Sequence, residues 1–135
     1  IMYPLFDLGL YNFEKNDYGK AKKYLEKSIT IQREIGRTDM QVWTTAYLFL
    51  SYKKLGIYYN KKNILTLIEA NGVNEHFMYY AIYKLLEDTS YLETAYNQVQ
   101  EKADNLEPDV AAKFLSYPIP KAIVEEWEKV TTDKN

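Results

Sequence analysis

The chain has 135 residues, of which 47% are apolar and 27% are charged, a balance that is typical of folded globular domains and argues against disorder. Seventeen Lys and Arg residues against nineteen Asp and Glu residues give a formal charge of −2, which argues against a dedicated nucleic-acid or membrane-surface protein. The chain has no cysteine, which excludes disulfides, thiolate zinc sites and cysteine nucleophiles and suits a reducing compartment.

Helical periodicity dominates the sequence, and no stretch alternates like a β-strand for long. After a first helix, Asp17 as an N-cap and Gly36 as a terminating glycine enclose the second predicted helix. The next segment, Thr38-x-x-Gln41, has the form of a capping box. It predicts a third helix that stops at Gly56.

Three further helices follow from the same kinds of signal. Residues 58–70 carry the pattern of a fourth helix, and Asn74 is suited to cap a fifth that runs to about Glu87. The segment Ser90-x-x-Glu93 is a second capping box, which predicts a sixth helix to about residue 105.

Prolines delimit the last two predicted helices. Pro108 suits the first turn of a short seventh helix, which must end before Pro118 because a residue that precedes proline avoids helical geometry. Pro120 starts a final helix through Val130, and residues 131–135 are predicted to form a disordered tail. Eight helices with short connections predict an all-α fold of antiparallel neighbours.

The helices repeat in pairs, over residues 2–36, 38–72 and 74–106. The matching positions are Leu5-x2-Leu8-Gly9-x2-Asn12, Tyr18 and Ala21-x3-Leu25, then Leu48, Tyr52, Leu55-Gly56, Tyr58 and Leu65, then Tyr79, Tyr80, Tyr83 and Ala95-x3-Val99. This pattern resembles the tetratricopeptide repeat (TPR), in which small residues let paired helices approach closely. The resemblance implies a right-handed α-solenoid of about three repeats with closing helices over 108–130, so that residues 1–130 form one repeat domain.

The end of the chain carries a second resemblance. Its motifs are Phe114-Leu115-Ser116-Tyr117-Pro118-Ile119-Pro120 and Ile123-Val124-Glu125-Glu126-Trp127. They are similar to the end of TPR arrays in large bacterial signalling proteins, such as adenylate and guanylate cyclases and related ATPase regulators. The resemblance implies a cytoplasmic C-terminal sensor or regulatory segment. The chain also starts in mid-pattern at Ile1, so we expect a piece of a longer protein.

The final helix carries one apolar stripe, formed by Ile119, Ile123, Trp127 and Val130. Such a stripe with a charged opposite face is expected of the cap that closes a solenoid. The alternative is an exposed amphipathic helix that binds a partner.

The TPR resemblance also implies a partner-binding groove lined by the first helix of each repeat. The candidate residues are Tyr3, Phe6, Leu10 and Phe13 in the first repeat, Trp43, Ala46, Leu50 and Lys53 in the second, and Phe77 and Lys84 in the third. Phe6, Leu10 and Phe13 stand where chaperone-binding members carry Lys and Asn, so we expect an apolar ligand rather than a clamped terminal carboxylate. The alternative is that the N-terminal aromatics belong to a core.

The sequence offers little for catalysis or for a bound cofactor or metal. His76 is the only histidine, and the five glycines are too widely spread for a phosphate-binding loop. We therefore expect a non-enzymatic scaffold for a protein or peptide partner, without nucleic acid, membrane or cofactor. The alternatives are a peptide-pheromone receptor domain, a homodimerisation module that uses the first helix, and an enzyme that uses His76.

Overall fold

The computed structural model describes residues 2–133, with side chains for residues 4–132. This part of the chain forms eight α-helices and no β-strand, so the prediction of an all-α fold is confirmed. The helices are α1 (Met2–Glu14), α2 (Tyr18–Glu34), α3 (Gln41–Leu55), α4 (Lys61–Asn71), α5 (His76–Leu86), α6 (Thr89–Asp104), α7 (Pro108–Ser116) and α8 (Pro118–Asp133). Within these residues, no helix is both long enough and apolar enough to cross a membrane.

Two predicted helix ends are confirmed by their capping contacts. The Asp17 carboxylate accepts a hydrogen bond from the backbone N–H of Lys20 at 3.2 Å, so α2 begins where the sequence indicates. Helix α3 ends at Gly56, whose φ of 74° lies in the left-handed region that favours glycine.

The predicted capping box at Thr38 is wrong. Helix α3 begins at Gln41, and Met40 precedes it without a side-chain capping bond. The backbone N–H of Gln41 instead donates to the carbonyl of Thr38 at 3.2 Å, so these residues form a turn ahead of the helix.

Two other predicted caps do not form, and only one of them is replaced by a neighbouring side chain. The carboxylate of Asp88 accepts hydrogen bonds from both the backbone N–H and the hydroxyl of Ser90, at 2.9 and 2.7 Å, and therefore caps α6 in place of Ser90. Asn74 does not cap α5, which begins two residues later. The carbonyl of Asn74 accepts a hydrogen bond from the side-chain amide of Gln98 at 3.3 Å.

Helices α4 and α8 differ from prediction at their ends. The side chain of Asn60 accepts a hydrogen bond from the backbone N–H of Lys62, so α4 starts three residues later than predicted and Tyr58 lies in the preceding loop. Helix α8 starts at Pro118 rather than Pro120, because the first turn of a helix tolerates residues without an N–H. It also continues through residues 131–133, which corrects the predicted tail; residues 134–135 lie outside the described part.

The helices divide between two compact units, residues 1–73 and residues 74–135. The division falls where the sequence predicts the second repeat to end and the third to begin, within the stretch predicted to be one domain over residues 1–130. Helices α1 to α4 belong to the first unit and α5 to α8 to the second.

In the first unit, each helix packs against the next one in the chain, and α1 also contacts α3. Gly9 allows α1 to lie close to α2, because a Cβ at this position would be 2.6 Å from Cδ2 of Leu25. Leu25 and Ala21 are fully buried in this contact. The expected role of small residues between paired helices is therefore seen in the packing of α1 on α2.

In the second unit, α6 contacts all three of the other helices, and its buried side chains form the core together with Ile123 of α8. The predicted stripe of α8 packs inward, since Ile119, Trp127 and Val130 also lie against this core. The ring of Trp127 stacks on Tyr96 with 5.5 Å between centroids. The stripe is thus occupied within the unit, and the alternative of an exposed partner-binding stripe is wrong.

Candidate functional site

Three residues predicted to line a groove are instead part of the core of the first unit. Phe6, Ala46 and Leu50 are buried, and the ring of Phe6 lies 4.5 Å from that of Trp43. These three side chains are not available to a partner in this structure. They are buried because α1, α2 and α3 pack on one another, which leaves α3 covered on most of its faces.

The other predicted groove residues of the first unit are partly accessible. Phe13 is half-buried and contacts the rings of Tyr18 and Tyr47 edge-on, each at 5.3 Å. Leu10 and Trp43 are also half-buried, whereas Lys53 is exposed. The side chain of Tyr3 lies outside the described residues.

The two predicted groove residues of the second unit are half-buried and contact aromatic rings. Phe77 meets the ring of His76 edge-on at 5.4 Å, and the ammonium group of Lys84 lies 4.9 Å from the ring centre of Tyr80. The predicted partner-binding role of these residues stays a prediction.

A groove of about 570 Å³ lies between α2, α3 and α4 in the first unit, and we call it the α2–α4 groove. Its volume is within the range of known ligand sites. The apolar side chains that line it are Ile29, Leu48, Phe49 and Leu67. The uncharged polar ones are Thr30, Thr45, Asn63 and Thr66, and Glu26, Arg33 and Tyr52 complete the lining.

The groove is built from helical stripes with the same spacing. Helix α2 contributes residues 26, 29, 30 and 33, and α3 contributes 45, 48, 49 and 52, which in both helices is the i, i+3, i+4, i+7 pattern of a single face. Helix α4 adds 63, 66 and 67. The groove stays open because α4 packs only lightly, with Ile64 as its one buried residue.

Aromatic stacking shapes the end of the groove near the α3–α4 loop. Phe49 stacks on Tyr52 and on Tyr59 of that loop, with ring centroids 5.9 and 5.0 Å away. The hydroxyl of Tyr52 donates a hydrogen bond of 2.7 Å to Oε2 of Glu26, which ties α3 to α2.

Two charged side chains line the groove, and only one of them has hydrogen-bond or ion-pair partners in the described part of the chain. Glu26 also forms an ion pair with Lys22, with 3.4 Å between Nζ and Oε1, so each of its carboxylate oxygens has a partner. The side chain of Arg33 has neither a hydrogen bond nor an ion pair with any residue that the structure describes. A guanidinium in this state is available to an anion.

The Tyr52–Glu26 pair does not provide a nucleophile. Burial, followed by the hydrogen bond and the charge of Glu26, raises the pKa of Tyr52 far above the ordinary value of 10.0. The phenol therefore keeps its proton at neutral pH and acts as a hydrogen-bond donor.

His76 lies in the other unit and serves packing there. It is buried at the start of α5, where its ring meets Phe77 and Phe114 edge-on at 5.4 and 6.0 Å. Burial, with a smaller effect of Lys102, lowers the pKa of His76, so its imidazole is neutral at pH 7. Among the side chains that the structure describes, residues 4–132, no group of three or more His, Asp or Glu is placed to hold a metal ion.

None of the nine predicted groove residues whose side chains the structure describes lines the α2–α4 groove. The predicted groove involved only the first helix of each repeat, whereas this groove uses α2, α4 and a different face of α3. The detectable signal was the repeated i, i+3, i+4, i+7 spacing of mixed polar and apolar residues on α2. Comparisons with protein-family models, with curated proteins and with solved structures find no match for this chain.

Proposed function

We propose that the chain is a non-catalytic scaffold that binds a protein or peptide partner, arranged in TPR-like helix pairs. The TPR-like spacing supports the helix-pair arrangement, and the resemblance of the chain's end supports a place in the cytoplasmic regulatory segment of a bacterial signalling protein. The α2–α4 groove is the single observation that carries the binding role, because it is an accessible concave surface of ligand-site size in the first unit.

The lining of the groove suits a peptide. Apolar atoms from Leu48 and Phe49 form its floor, while Asn63 and Thr66 on α4 offer both donors and acceptors at the rim. Peptide recognition commonly combines apolar contacts for side chains with polar groups for the backbone. A receptor domain for a short secreted peptide would use the same surface.

The test is selection of binders from a random-peptide library with the purified chain. A Thr66→Trp variant, which puts an indole into the groove from an exposed position, is expected to abolish binding of the selected peptides. Leu65→Trp places the same side chain on the exposed, opposite face of α4, outside the lining, and should leave binding unchanged. Failure to select any peptide, or equal binding by both variants, would refute the proposal.

Homodimerisation through α1 is a second candidate function, favoured by two exposed apolar side chains. Leu8 is 42% exposed and Tyr11 is 57% exposed, and they lie three residues apart on one face of α1. Sedimentation velocity of the wild type and of a Leu8→Lys/Tyr11→Lys variant tests this. A concentration-independent monomer in both proteins would exclude it.

A further inference from the structure

The α2–α4 groove carries one charge that the described residues do not neutralise. Both oxygens of the Glu26 carboxylate have partners, in the Tyr52 hydroxyl and the Lys22 ammonium. Arg33, on the same face of α2, has no such partner. The net unsatisfied charge of the groove is therefore positive, although the whole chain carries a formal charge of −2.

The position of Arg33 makes the two ends of the groove chemically different along α2. Glu26 and Arg33 are seven residues apart on α2, which at 1.5 Å per residue is about 10 Å along the helix. Ile29 and Thr30 lie between them, beside the apolar floor from α3. An extended peptide advances about 3.3 Å per residue, so about three residues fit between the two charged side chains.

At the end of the groove marked by Arg33, both Arg33 and the hydroxyl-bearing residue Thr30 are exposed. A peptide chain can therefore continue past the guanidinium, and its carboxylate need not be the terminal one. Two parallel N–H···O bonds from one guanidinium to one carboxylate are the strongest pairing open to Arg33.

We infer that the groove binds an internal peptide segment whose acidic side chain pairs with Arg33 while a neighbouring apolar side chain rests on Leu48 and Phe49. This inference rests on the proposed function and specifies the chemistry of its ligand. The side chains of Asn63 and Thr66, three residues apart on α4, face the same segment and are placed to hydrogen-bond to its backbone.

The experiment compares two pools of acetylated and amidated peptides with apolar and threonine flanks, one with Glu and the other with Gln at the central position. The wild-type chain is expected to bind the Glu pool about tenfold more tightly, which corresponds to about 1.4 kcal/mol. Arg33→Gln should remove this preference, and Arg33→Glu should transfer it to a pool with central Lys. Lys23→Gln removes a positive charge from an exposed position of α2 outside the groove and should keep the preference.

The outcomes separate this inference from the proposed function. Equal binding of the Glu and Gln pools, with both abolished by Thr66→Trp, would overturn the acidic ligand and leave peptide binding in place. A third pool has Gln at the central position and a free C-terminal carboxylate. If the chain prefers this pool to the amidated Glu pool, Arg33 binds a terminal carboxylate and the inference of an internal peptide segment is wrong. Absence of binding by every pool would count against both proposals.

Discussion

Replacing Gly9 with alanine is expected to destabilise the first unit. An added Cβ would lie 2.6 Å from Cδ2 and 2.7 Å from Cγ of Leu25, distances that are much shorter than van der Waals contact. Leu25 is fully buried, so its side chain cannot move aside without disturbing its packed neighbours.

The magnitude follows from two opposing effects. Overpacking of a core costs about 1–3 kcal/mol, whereas replacing glycine by alanine within a helix returns about 1 kcal/mol. We therefore expect Gly9→Ala to lower the free energy of unfolding by about 1 kcal/mol. Leu25→Ala alone should lower the free energy of unfolding by about 2–5 kcal/mol. The loss in the double variant should be at least about 1 kcal/mol smaller than the sum of the two single losses, because the methyl group added at position 9 occupies the space that Leu25 vacates.

Gly19→Ala is the matched control. The nearest atom to a Cβ at Gly19 is Oδ1 of Asp17 at 3.9 Å, so the same substitution in α2 should stabilise the unit by about 0.5–1 kcal/mol. Urea unfolding followed by tryptophan fluorescence in a Trp127→Phe background reports on Trp43 and hence on the first unit. With a slope of about 2 kcal/mol/M, a change of 1 kcal/mol moves the midpoint by about 0.5 M.

The close approach of α1 and α2 would be refuted by either of two results. One is that Gly9→Ala stabilises the unit as much as Gly19→Ala does. The other is that the effect of Gly9→Ala is the same whether residue 25 is leucine or alanine, since the clash depends on the leucine side chain.

Three further predictions concern single side chains. The folded-state pKa of Tyr52 is raised above 10.0, so the unfolded chain loses the phenol proton at a lower pH than the folded chain does. The stability of the first unit should therefore fall as pH rises above about 10, and this fall should be smaller in Tyr52→Phe. The folded-state pKa of His76 is lowered below 6.5, so the unfolded chain binds a proton at a higher pH than the folded chain does. The stability of the second unit should therefore fall as pH drops below about 6.5, and this fall should be smaller in His76→Gln. Trp127→Ala removes the ring stacked on Tyr96 and should cost about 3 kcal/mol. Urea midpoints measured across pH check the first two, and urea unfolding followed by circular dichroism checks the third.

Each of these predictions has a clear contrary result. An alkaline loss of stability that is identical in wild type and Tyr52→Phe would show that this phenol is not the group responsible. A histidine resonance that titrates at or above 6.5 by NMR would contradict the burial of His76, and it can be assigned at once because the chain has one histidine. Glu128→Ala, at an exposed neighbour of Trp127, should change stability by less than about 0.5 kcal/mol, and a comparable loss in both variants would count against the packing of α8.

Local signals predicted the helices well and their first residues less well. Asp17 and Gly56 were identified because each acts through contacts within its own turn. The box at Ser90 failed because Asp88, two residues earlier, accepts both hydrogen bonds that Ser90 offers. When two capping side chains lie this close, the choice between them depends on backbone conformation rather than on residue type.

The candidate site was less predictable than the fold. Phe6 and Leu50 have the residue types of a binding groove, but the same types fill a core, and only the packing of α1, α2 and α3 shows that they are buried. The α2–α4 groove uses Arg33 and Thr66, which lie on helices that were not predicted to line a groove. When a helix face carries both polar and apolar residues, its sequence does not show whether that face contacts solvent or a neighbouring helix.

The sequence by itself determined that this chain is helical and where most of its helices run. These properties depend on hydrophobic spacing and on contacts within one or two turns, which the order of residues specifies directly. Only the tertiary structure decided which faces are buried, because burial depends on which helix covers which stripe. The light packing of α4, with Ile64 alone buried, leaves the α2–α4 groove open and Arg33 unpaired among the described residues, and neither property belongs to any single segment of the chain.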